Sequence, residues 1–413
     1  MPRPGMTEHD ALRLKLALVS MLANYSMETS LIFMPLHAAG IGASDLVVGL
    51  VGTAYGLSYF LSSLFFGKLS DLRGRTPLVR AGLLLLAASY LSQVFAPSPA
   101  WLILTRLAVG FSMGVTSGPL MAYVYERDGA VGRFASVGSL GWLLGALTAV
   151  LVPRPEALFV ASACASGAAL FVALLLDEGP GSPARAAGEV EALGPPDHRP
   201  GSPARAAGEV EALGLPGART APATGAVAGA HDVSTGRVLR ANLPVYLAFL
   251  LRHAGATAIW SIFPLYLAQL GASRQWIAAM DCINVGGQAI AMRFVDRFDP
   301  ARMLLLGLHL STAIFGVYAV ATHYLQLVPV QIVLSVAWSC LLVGAMSLLM
   351  RRSRDRGTAS GLLYSTNSLA TAAGPLLGGA VSQATGSYAA VMVAASALSA
   401  AGWAVARRIK KWK

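Results

Sequence analysis

The sequence predicts an all-α membrane protein whose twelve membrane-spanning helices form two related six-helix bundles. Three observations predict this fold: the composition, a series of apolar runs, and the placement of the basic residues. The 413-residue chain is 55% hydrophobic and only 12% charged, whereas a soluble domain carries about 25% charged residues. So few charges could not cover the surface of a soluble fold, but lipid-facing side chains should be apolar.

Each candidate span is a mainly apolar run of the length that a membrane helix needs, about 20 residues. Because backbone polar groups in lipid must be satisfied within their own segment, we expect these runs to be helices. The first six are 13–36, 45–66, 79–97, 100–124, 134–153 and 156–176. The second six are 241–268, 274–294, 301–321, 326–350, 357–381 and 387–406.

A polar stretch at 177–237 separates the two sets of spans, so we expect bundles at 1–176 and 238–413. The stretch contains a direct repeat, because GSPARAAGEVEALG occurs at 181–194 and again at 201–214. Its Gly, Pro, Ala and charge content is typical of a disordered linker. The prediction is a cytoplasmic, largely disordered linker, and a regulatory or docking element is the alternative.

The basic residues predict the orientation of the chain. If the N-terminus is cytoplasmic and the spans alternate, 27 of the 31 Lys and Arg residues fall on that side, in the N-terminus, the C-terminus, the loops and the adjoining ends of the spans. Positive charge is retained in cytoplasmic loops, so both termini are predicted to be cytoplasmic in a multi-pass plasma-membrane protein. The net charge of +11 is then a topological signal that contacts anionic lipid heads. It does not indicate a nucleic-acid site, which would concentrate the charge on one surface.

An internal repeat relates the two halves. Three residue pairs share one offset of 229 residues: Pro35 and Pro264, Gly42 and Gly271, and Gly145 and Gly374. Parallel halves related by an axis along the membrane normal are one plan for a transporter, with the substrate site at their interface near the midplane.

The segment after span 2 carries a motif, Gly67-Lys68-Leu69-Ser70-Asp71-Leu72-Arg73-Gly74-Arg75-Thr76. It resembles the signature G-x-x-x-D-R/K-x-G-R-R/K of the major facilitator superfamily, located in the loop between spans 2 and 3. The resemblance implies the major facilitator fold and a latch that holds one conformation. The latch residues would be Gly67, Asp71, Gly74 and Arg75, with Glu126 or Asp128 as the partner of Arg75. The alternative is that the arginines only set topology.

Span 4 contains Arg106 and Gly110, which resemble the R-x-x-x-G element of proton-coupled members of that family. A charge inside a span is costly and by default functional, with a partner. Glu28 in span 1 lies at a similar depth and is the candidate partner. We therefore predict proton coupling through Glu28 and Arg106, with a static ion pair as the alternative.

Other polar and aromatic residues inside the spans are candidates for lining a substrate cavity. Asn24 lies one turn before Glu28 on the same face and corresponds by the 229-residue offset to His253. Asp281 is the nearest candidate acid for Arg252. The full set of candidates is Asn24, Arg252, His253, Trp260, Asp281, Asn284, Gln288 and Asn367. Trp338 and Tyr266 could add stacking surface, and Gly-rich stretches in spans 5 and 11 should allow close helix packing.

The leading functional expectation is proton-coupled efflux, by antiport, of a small amphipathic or drug-like compound. Uptake of a sugar, nucleoside or organic acid together with protons is the first alternative, because the Gly-Pro-rich element of drug exporters stands here in span 11 and not in span 5. A receptor or scaffold without transport is the second. HExxH and Walker motifs are missing from the sequence, so no enzyme is predicted. We expect no metal or cofactor; the partners would be substrate, protons and lipids, and the protein a monomer.

Overall fold

A computed structural model describes residues 7–127, 131–176, 231–295, 297–353 and 356–408. All regular structure in these ranges is helical. The first half contains α1 (Glu8–Leu31), α2 (Met34–Gly40), α3 (Asp45–Arg73), α4 (Arg75–Val94), α5 (Pro99–Arg127), α6 (Val131–Leu151) and α7 (Pro155–Leu174). The second half contains α8 (His231–Gln269), α9 (Arg274–Val295), α10 (Pro300–Val320), a 3-10 turn (Tyr324–Gln326), α11 (Leu327–Arg352), α12 (Arg356–Thr385) and α13 (Tyr388–Arg407). Since α1 and α2 together form one span, the twelve-span prediction is confirmed.

Local sequence explains where several helices begin and end. Thr7 caps α1, because its hydroxyl oxygen accepts from the Asp10 backbone N–H at 3.2 Å. Pro35 lies in the first turn of α2, where its missing N–H costs nothing. Gly74 joins α3 to α4 with a φ of 87°, a left-handed conformation that favours glycine. The sharp turn between α3 and α4, which lies inside the motif at residues 67–76, therefore depends on Gly74.

The surface of the bundle is suited to lipid. Among the described residues, nine helical segments are long and apolar enough to cross a membrane. Large apolar side chains also point outward, among them Phe65, Phe171 and Leu151, which are 64%, 66% and 80% exposed. A soluble protein would bury such residues, whereas lipid accommodates them.

Helix packing repeats from one half to the other. In the first half, α1 packs on α6 and α7, α4 on α5 and α7, and α3 on α5. The second half uses the equivalent partners: α8 packs on α12 and α13, α10 on α11 and α13, and α9 on α11. Even single contacts recur, since a Cβ at Gly145 would meet Glu28 and a Cβ at Gly374 would meet Thr257. Both pairs are related by the offset of 229 residues (374 − 145 and 257 − 28), which confirms the internal repeat.

The two halves meet along α3 with α12 and along α6 with α9. The closest approach is near the far end of the bundle, which we define as the end opposite the described termini. It contains the connections 41–44, 95–98, 152–154, 270–273, 321–323 and 386–387. There the backbones of Gly49 and Gly379 are so close that a Cβ on either residue would collide with the other helix. This end of the protein is therefore closed.

Two boundaries differ from those predicted. Helix α8 begins at His231, so residues 231–237 of the predicted linker are helical, and 177–230 lie outside the described residues. Residues 67–73 were expected in a loop but continue α3, because nothing in this stretch breaks a helix before Gly74. The domain boundaries otherwise stay a prediction.

Candidate functional site

Glu28 lies at the interface between the two halves. It is on α1 and only 2% exposed. On one side it packs against α6, where Gly145 makes room for it: a Cβ at Gly145 would be 2.8 Å from the Glu28 Cβ. On the other side it is close enough to Asp281, on α9 of the second half, for the two carboxyl groups to interact electrostatically. The two acids therefore face each other across the interface.

Arg106 does not pair with Glu28, so the expected ion pair is wrong. Its Nη1 atom donates to the Ser30 hydroxyl at 3.4 Å, and its guanidinium carbon lies 4.8 Å from the centre of the Tyr55 ring. Arg106 is 1% exposed, and its Nε and Nη2 atoms have no hydrogen-bond partner among the described residues. The cation is thus stabilised by a hydroxyl and by an aromatic face, without a carboxylate.

Arg252 has similar surroundings in the second half, although it is not related to Arg106 by the repeat. Its Nε atom donates to the Ser311 hydroxyl at 2.9 Å. Its guanidinium carbon lies 5.2 Å from the Trp338 ring centre and 5.4 Å from that of Phe315. The suggested pair of Arg252 with Asp281 is therefore also wrong, because the described contacts of this guanidinium group are with Ser311 and the two aromatic rings.

The residues related by the repeat, Asn24 and His253, each contact a tryptophan. Trp142 donates its indole N–H to the Asn24 side-chain oxygen at 2.7 Å. His253 stacks on Trp338, with ring centres 4.9 Å apart and planes inclined by 25°. All four side chains are half-buried, so each half presents a polar group and an aromatic ring together. Trp142 was not among the predicted site residues, although the sequence carried a signal for it, since a buried indole N–H needs an acceptor.

The remaining cavity candidates lie in different surroundings. Gln288 donates to the side-chain oxygen of Asn284 at 2.6 Å, so these two residues of α9 form a pair. Asn367 is half-buried on α12. Trp260 packs edge-on against Phe263, with ring centres 5.3 Å apart, at the border of a hydrophobic cluster. This tryptophan therefore belongs to the packing between helices.

The predicted latch is described only in part. Gly74 is in place at the turn, and Arg75 is half-buried at the start of α4. The side chains of Asp71 and Glu126, together with Gly67 and all of Asp128, lie outside what the structure describes, so the pairing of Arg75 stays a prediction.

A cross-half contact that the sequence did not indicate lies at the far end. Asp45, the first residue of α3, accepts hydrogen bonds from the Ser382 hydroxyl and, at 3.3 Å, from the Tyr388 hydroxyl. Both donors belong to the second half. An acid in the first turn of a helix is ordinarily explained by the helix dipole, which is why the sequence alone gave no sign of this interaction.

Comparison with known proteins identifies the family. The sequence profile of the Major Facilitator Superfamily matches residues 16–280 and 245–411, nearly the whole chain. The chain belongs to the major facilitator superfamily. Among solved structures of this family's fold, the nucleoside transporter NupG has a TM-score of 0.74 with 13% identity, covering 97% of this chain and 100% of NupG. A bacterial homologue of the human lysosomal transporter Spinster, in an inward-facing and unoccupied conformation, has a TM-score of 0.71 with 14% identity, covering 99% of this chain and 100% of the homologue.

Curated relatives in sequence match shorter stretches. A homologue of the multi-drug resistance efflux pump PmrA from Lactococcus lactis subsp. lactis (strain IL1403) is 32% identical over 130 residues. That match covers 30% of this major facilitator chain and 32% of the relative. An uncharacterized transporter from Rickettsia bellii (strain RML369-C) is 35% identical over 100 residues, 23% of this chain and 24% of that protein. The chain therefore matches a third or less of the length of these relatives. Membership of a transporter family confirms that the chain is a transporter and not an enzyme.

Proposed function

We propose that this protein exports small amphipathic, drug-like compounds in exchange for protons, by alternately opening the space between its two halves. Glu28 carries the proton in this proposal. Arg106 and Arg252 are buried cations in the interior of the same helix bundle. The partial likeness to an efflux pump homologue supports export. The protein would act as a monomer in the plasma membrane with both termini in the cytoplasm, as the distribution of basic residues predicts.

The observation that carries the proposal is the position of Glu28. An ionisable acid inside a membrane span is expensive unless it has a function. Glu28 is 2% exposed and lies where the two halves meet. Opening of the halves would expose its carboxyl group to water, and closing would remove that water. A carboxyl group whose surroundings change in this way changes its affinity for protons, which is what coupling requires.

The polar–aromatic groups of both halves support an amphipathic substrate. Asn24 with Trp142, and His253 with Trp338, each combine a hydrogen-bonding group with a flat apolar surface. Binding sites for small organic compounds are mostly apolar, with a few polar groups that fix orientation. A sugar site would need many more hydrogen-bonding groups than these.

The direction of transport can be tested in proteoliposomes with an acidic lumen. Ethidium is a suitable probe because it is an amphipathic cation whose charge does not change with pH. Protons leave such vesicles, so antiport drives ethidium inward, and accumulation that collapses with a protonophore is the expected result. Labelled uridine tests the alternative: its movement in the same direction as protons would establish symport. If neither probe crosses the membrane and other proteins bind to residues 177–237, the alternative function as a receptor or scaffold is favoured.

The role of Glu28 is tested in the same vesicles. Glu28→Gln keeps the size of the side chain but removes its charge change, so gradient-driven accumulation should be lost. Glu156→Gln is the matched control, because Glu156 is an exposed acid of the same half. If Glu28→Gln accumulates ethidium as well as the wild type does, the coupling assignment is wrong.

A further inference from the structure

His309 is a polar side chain on the outer surface of a membrane span. It lies on α10, which packs on α11 and α13 within the second half, and its side chain is exposed. It is nine residues from Pro300, where α10 begins, or roughly 14 Å along the helix axis. Ionisable residues within a span are costly and almost always face protein or a water-filled cavity. A histidine that faces outward at this depth therefore calls for an explanation that involves lipid.

An aromatic ring and a cation accompany this histidine. The Trp403 ring on α13 has its centre 5.8 Å from the centre of the His309 ring. The guanidinium carbon of Arg407, one turn further along α13, lies 4.5 Å from the centre of the Trp403 ring. Trp403 is half-buried and Arg407 is exposed. The three side chains thus form a row that runs toward the near end of the bundle, where the described termini lie.

The pairing of α10 with α13 brings a second arginine to the level of Arg407. The Ser399 hydroxyl donates to the Leu308 carbonyl at 3.1 Å, and a second bond of the same kind joins the two helices one turn closer to the far end. The helices are antiparallel, and continuing this pairing toward the near end places Arg302 within one turn of the level of Arg407. Arg302 is exposed and shares a face of α10 with His309, two turns away.

The direction of the side chains brings these groups closer together. In a helix each Cα–Cβ bond is tilted toward the N-terminus. Helix α10 begins at the near end, so the His309 imidazole is carried toward the arginines and lies less deep in the membrane than its own Cα. Helix α13 runs the opposite way, so the Trp403 indole is carried toward His309. The arrangement therefore places two cations at the membrane surface and one hydrogen-bonding ring a short distance below them.

We propose that Arg302, His309, Trp403 and Arg407 form a binding site for one anionic glycerophospholipid, which we call the α10–α13 site. The two guanidinium groups bind the phosphate, and an imidazole N–H donates to an ester carbonyl, which in a glycerophospholipid lies deeper than the phosphate. The acyl chains pack on the indole. Among the described residues neither arginine is in an ion pair with a carboxylate, so both charges are available to the lipid.

The chemistry of the site favours an anionic lipid over other ligands. Guanidinium groups bind phosphate through two parallel hydrogen bonds. The near end is the end predicted to face the cytoplasm, and the cytoplasmic leaflet is the one that carries anionic lipids. A zwitterionic lipid brings an ammonium group that two arginines repel. A soluble phosphate would make no use of a histidine and an indole at hydrocarbon depth.

Brominated lipids test the site, because bromine on an acyl chain quenches a tryptophan that it contacts. The full-length protein is placed in vesicles of phosphatidylcholine and phosphatidylglycerol. The signal of Trp403 is the difference between each protein and the same protein carrying Trp403→Phe. We expect phosphatidylglycerol to be preferred over phosphatidylcholine at Trp403, by roughly five-fold for each arginine, which corresponds to the usual attraction between a basic residue and an anionic membrane surface.

Substitution of the arginines tests the headgroup contact. Arg302→Gln and Arg407→Gln should each lower the preference for phosphatidylglycerol about five-fold. The matched control is Arg240→Gln, because Arg240 is an exposed arginine of α8 in the same half and lies outside the α10–α13 site. Its removal should leave the preference at Trp403 as in the wild type.

His309 is tested by affinity and not by headgroup preference. Both lipids have ester carbonyls, so His309→Leu should weaken quenching by brominated phosphatidylcholine and phosphatidylglycerol alike. His309→Gln keeps an N–H donor and should restore both. This rescue separates the hydrogen bond from a change in packing, and since His309 is exposed, neither substitution disturbs the contact between helices.

Three results would overturn the proposal. The first is equal association of the two lipids with Trp403 in the wild type. The second is a loss of preference in Arg240→Gln as large as that in Arg407→Gln, which would show diffuse attraction by surface charge. The third is displacement of brominated phosphatidylglycerol by inorganic phosphate at constant ionic strength, which would assign the site to a free anion. None of these measurements depends on the direction or coupling of transport, so the site and the proposed function stand or fall separately.

Discussion

The contact between α3 and α12 allows the closure of the two halves to be perturbed by a single methyl group. Gly379 of α12 faces α3, and a Cβ built on it would lie 2.5 Å from the Asp45 carbonyl oxygen, 3.0 Å from the Gly49 Cα and 3.1 Å from the Leu46 Cα. All three are backbone atoms, which cannot rotate away as a flexible side chain could. Gly379→Ala therefore requires the helices themselves to separate.

The size of the effect follows from the cost of overpacking, which is about 1–3 kcal/mol. Because the clash exists only when the far end is closed, that cost shifts the balance toward opening by roughly 5- to 150-fold. Alanine also stabilises a helix by about 1 kcal/mol relative to glycine, but it does so in both conformations. The control is Gly361→Ala on the same helix, where a Cβ would meet nothing within 4 Å.

The assay is the far-end distance between spin labels at Gly40→Cys and Ala384→Cys, one in each half and both exposed, in protein whose native cysteines are replaced by alanine. Gly379→Ala should raise the population of long distances, whereas Gly361→Ala should leave the distribution as in the wild type. Equal distributions for the two variants would refute the argument that this glycine contact sets closure.

Three further changes have defined outcomes. Trp142→Phe leaves the Asn24 oxygen without its donor, and the loss of about 1 kcal/mol should lower the melting temperature; unchanged melting would show that this bond contributes nothing. Arg252→Lys cannot keep both the planar contact with aromatic rings and the bond to Ser311, so we expect a larger loss of thermal stability than for Arg240→Lys at an exposed site; equal losses would contradict it. Asp45→Asn should make the far end open more often in the spin-label assay, since charge-assisted hydrogen bonds are roughly twice as strong as neutral ones; a distribution like the wild type would exclude a role in closure.

Much of the fold could be predicted from the sequence because lipid imposes strict rules. The length of each apolar run, its hydropathy and the placement of Lys and Arg are local properties of the chain. They were sufficient to predict the twelve spans. The repeat could be found because close helix contacts demand small residues at equivalent places, as at Gly145 and Gly374.

The pairing of charges inside the bundle could not be predicted in the same way. Counting residues gives the depth of Glu28 and Arg106 along their helices, but not the direction in which each side chain points around the helix axis. Their depths are similar, yet Glu28 faces the second half and Arg106 faces Ser30. Asp281 was considered only as a partner for Arg252, because two acids close to each other are unfavourable.

The central claim is that the two halves open alternately at their two ends, and paired distance measurements test it most directly. A second pair of labels at Pro77→Cys and Arg351→Cys, both exposed and close to the near end, would be measured beside the far-end pair in lipid. The account predicts that when pH is changed the two distances change in opposite directions, one shortening while the other lengthens. Two distances that change in the same direction, or do not change at all, would contradict it.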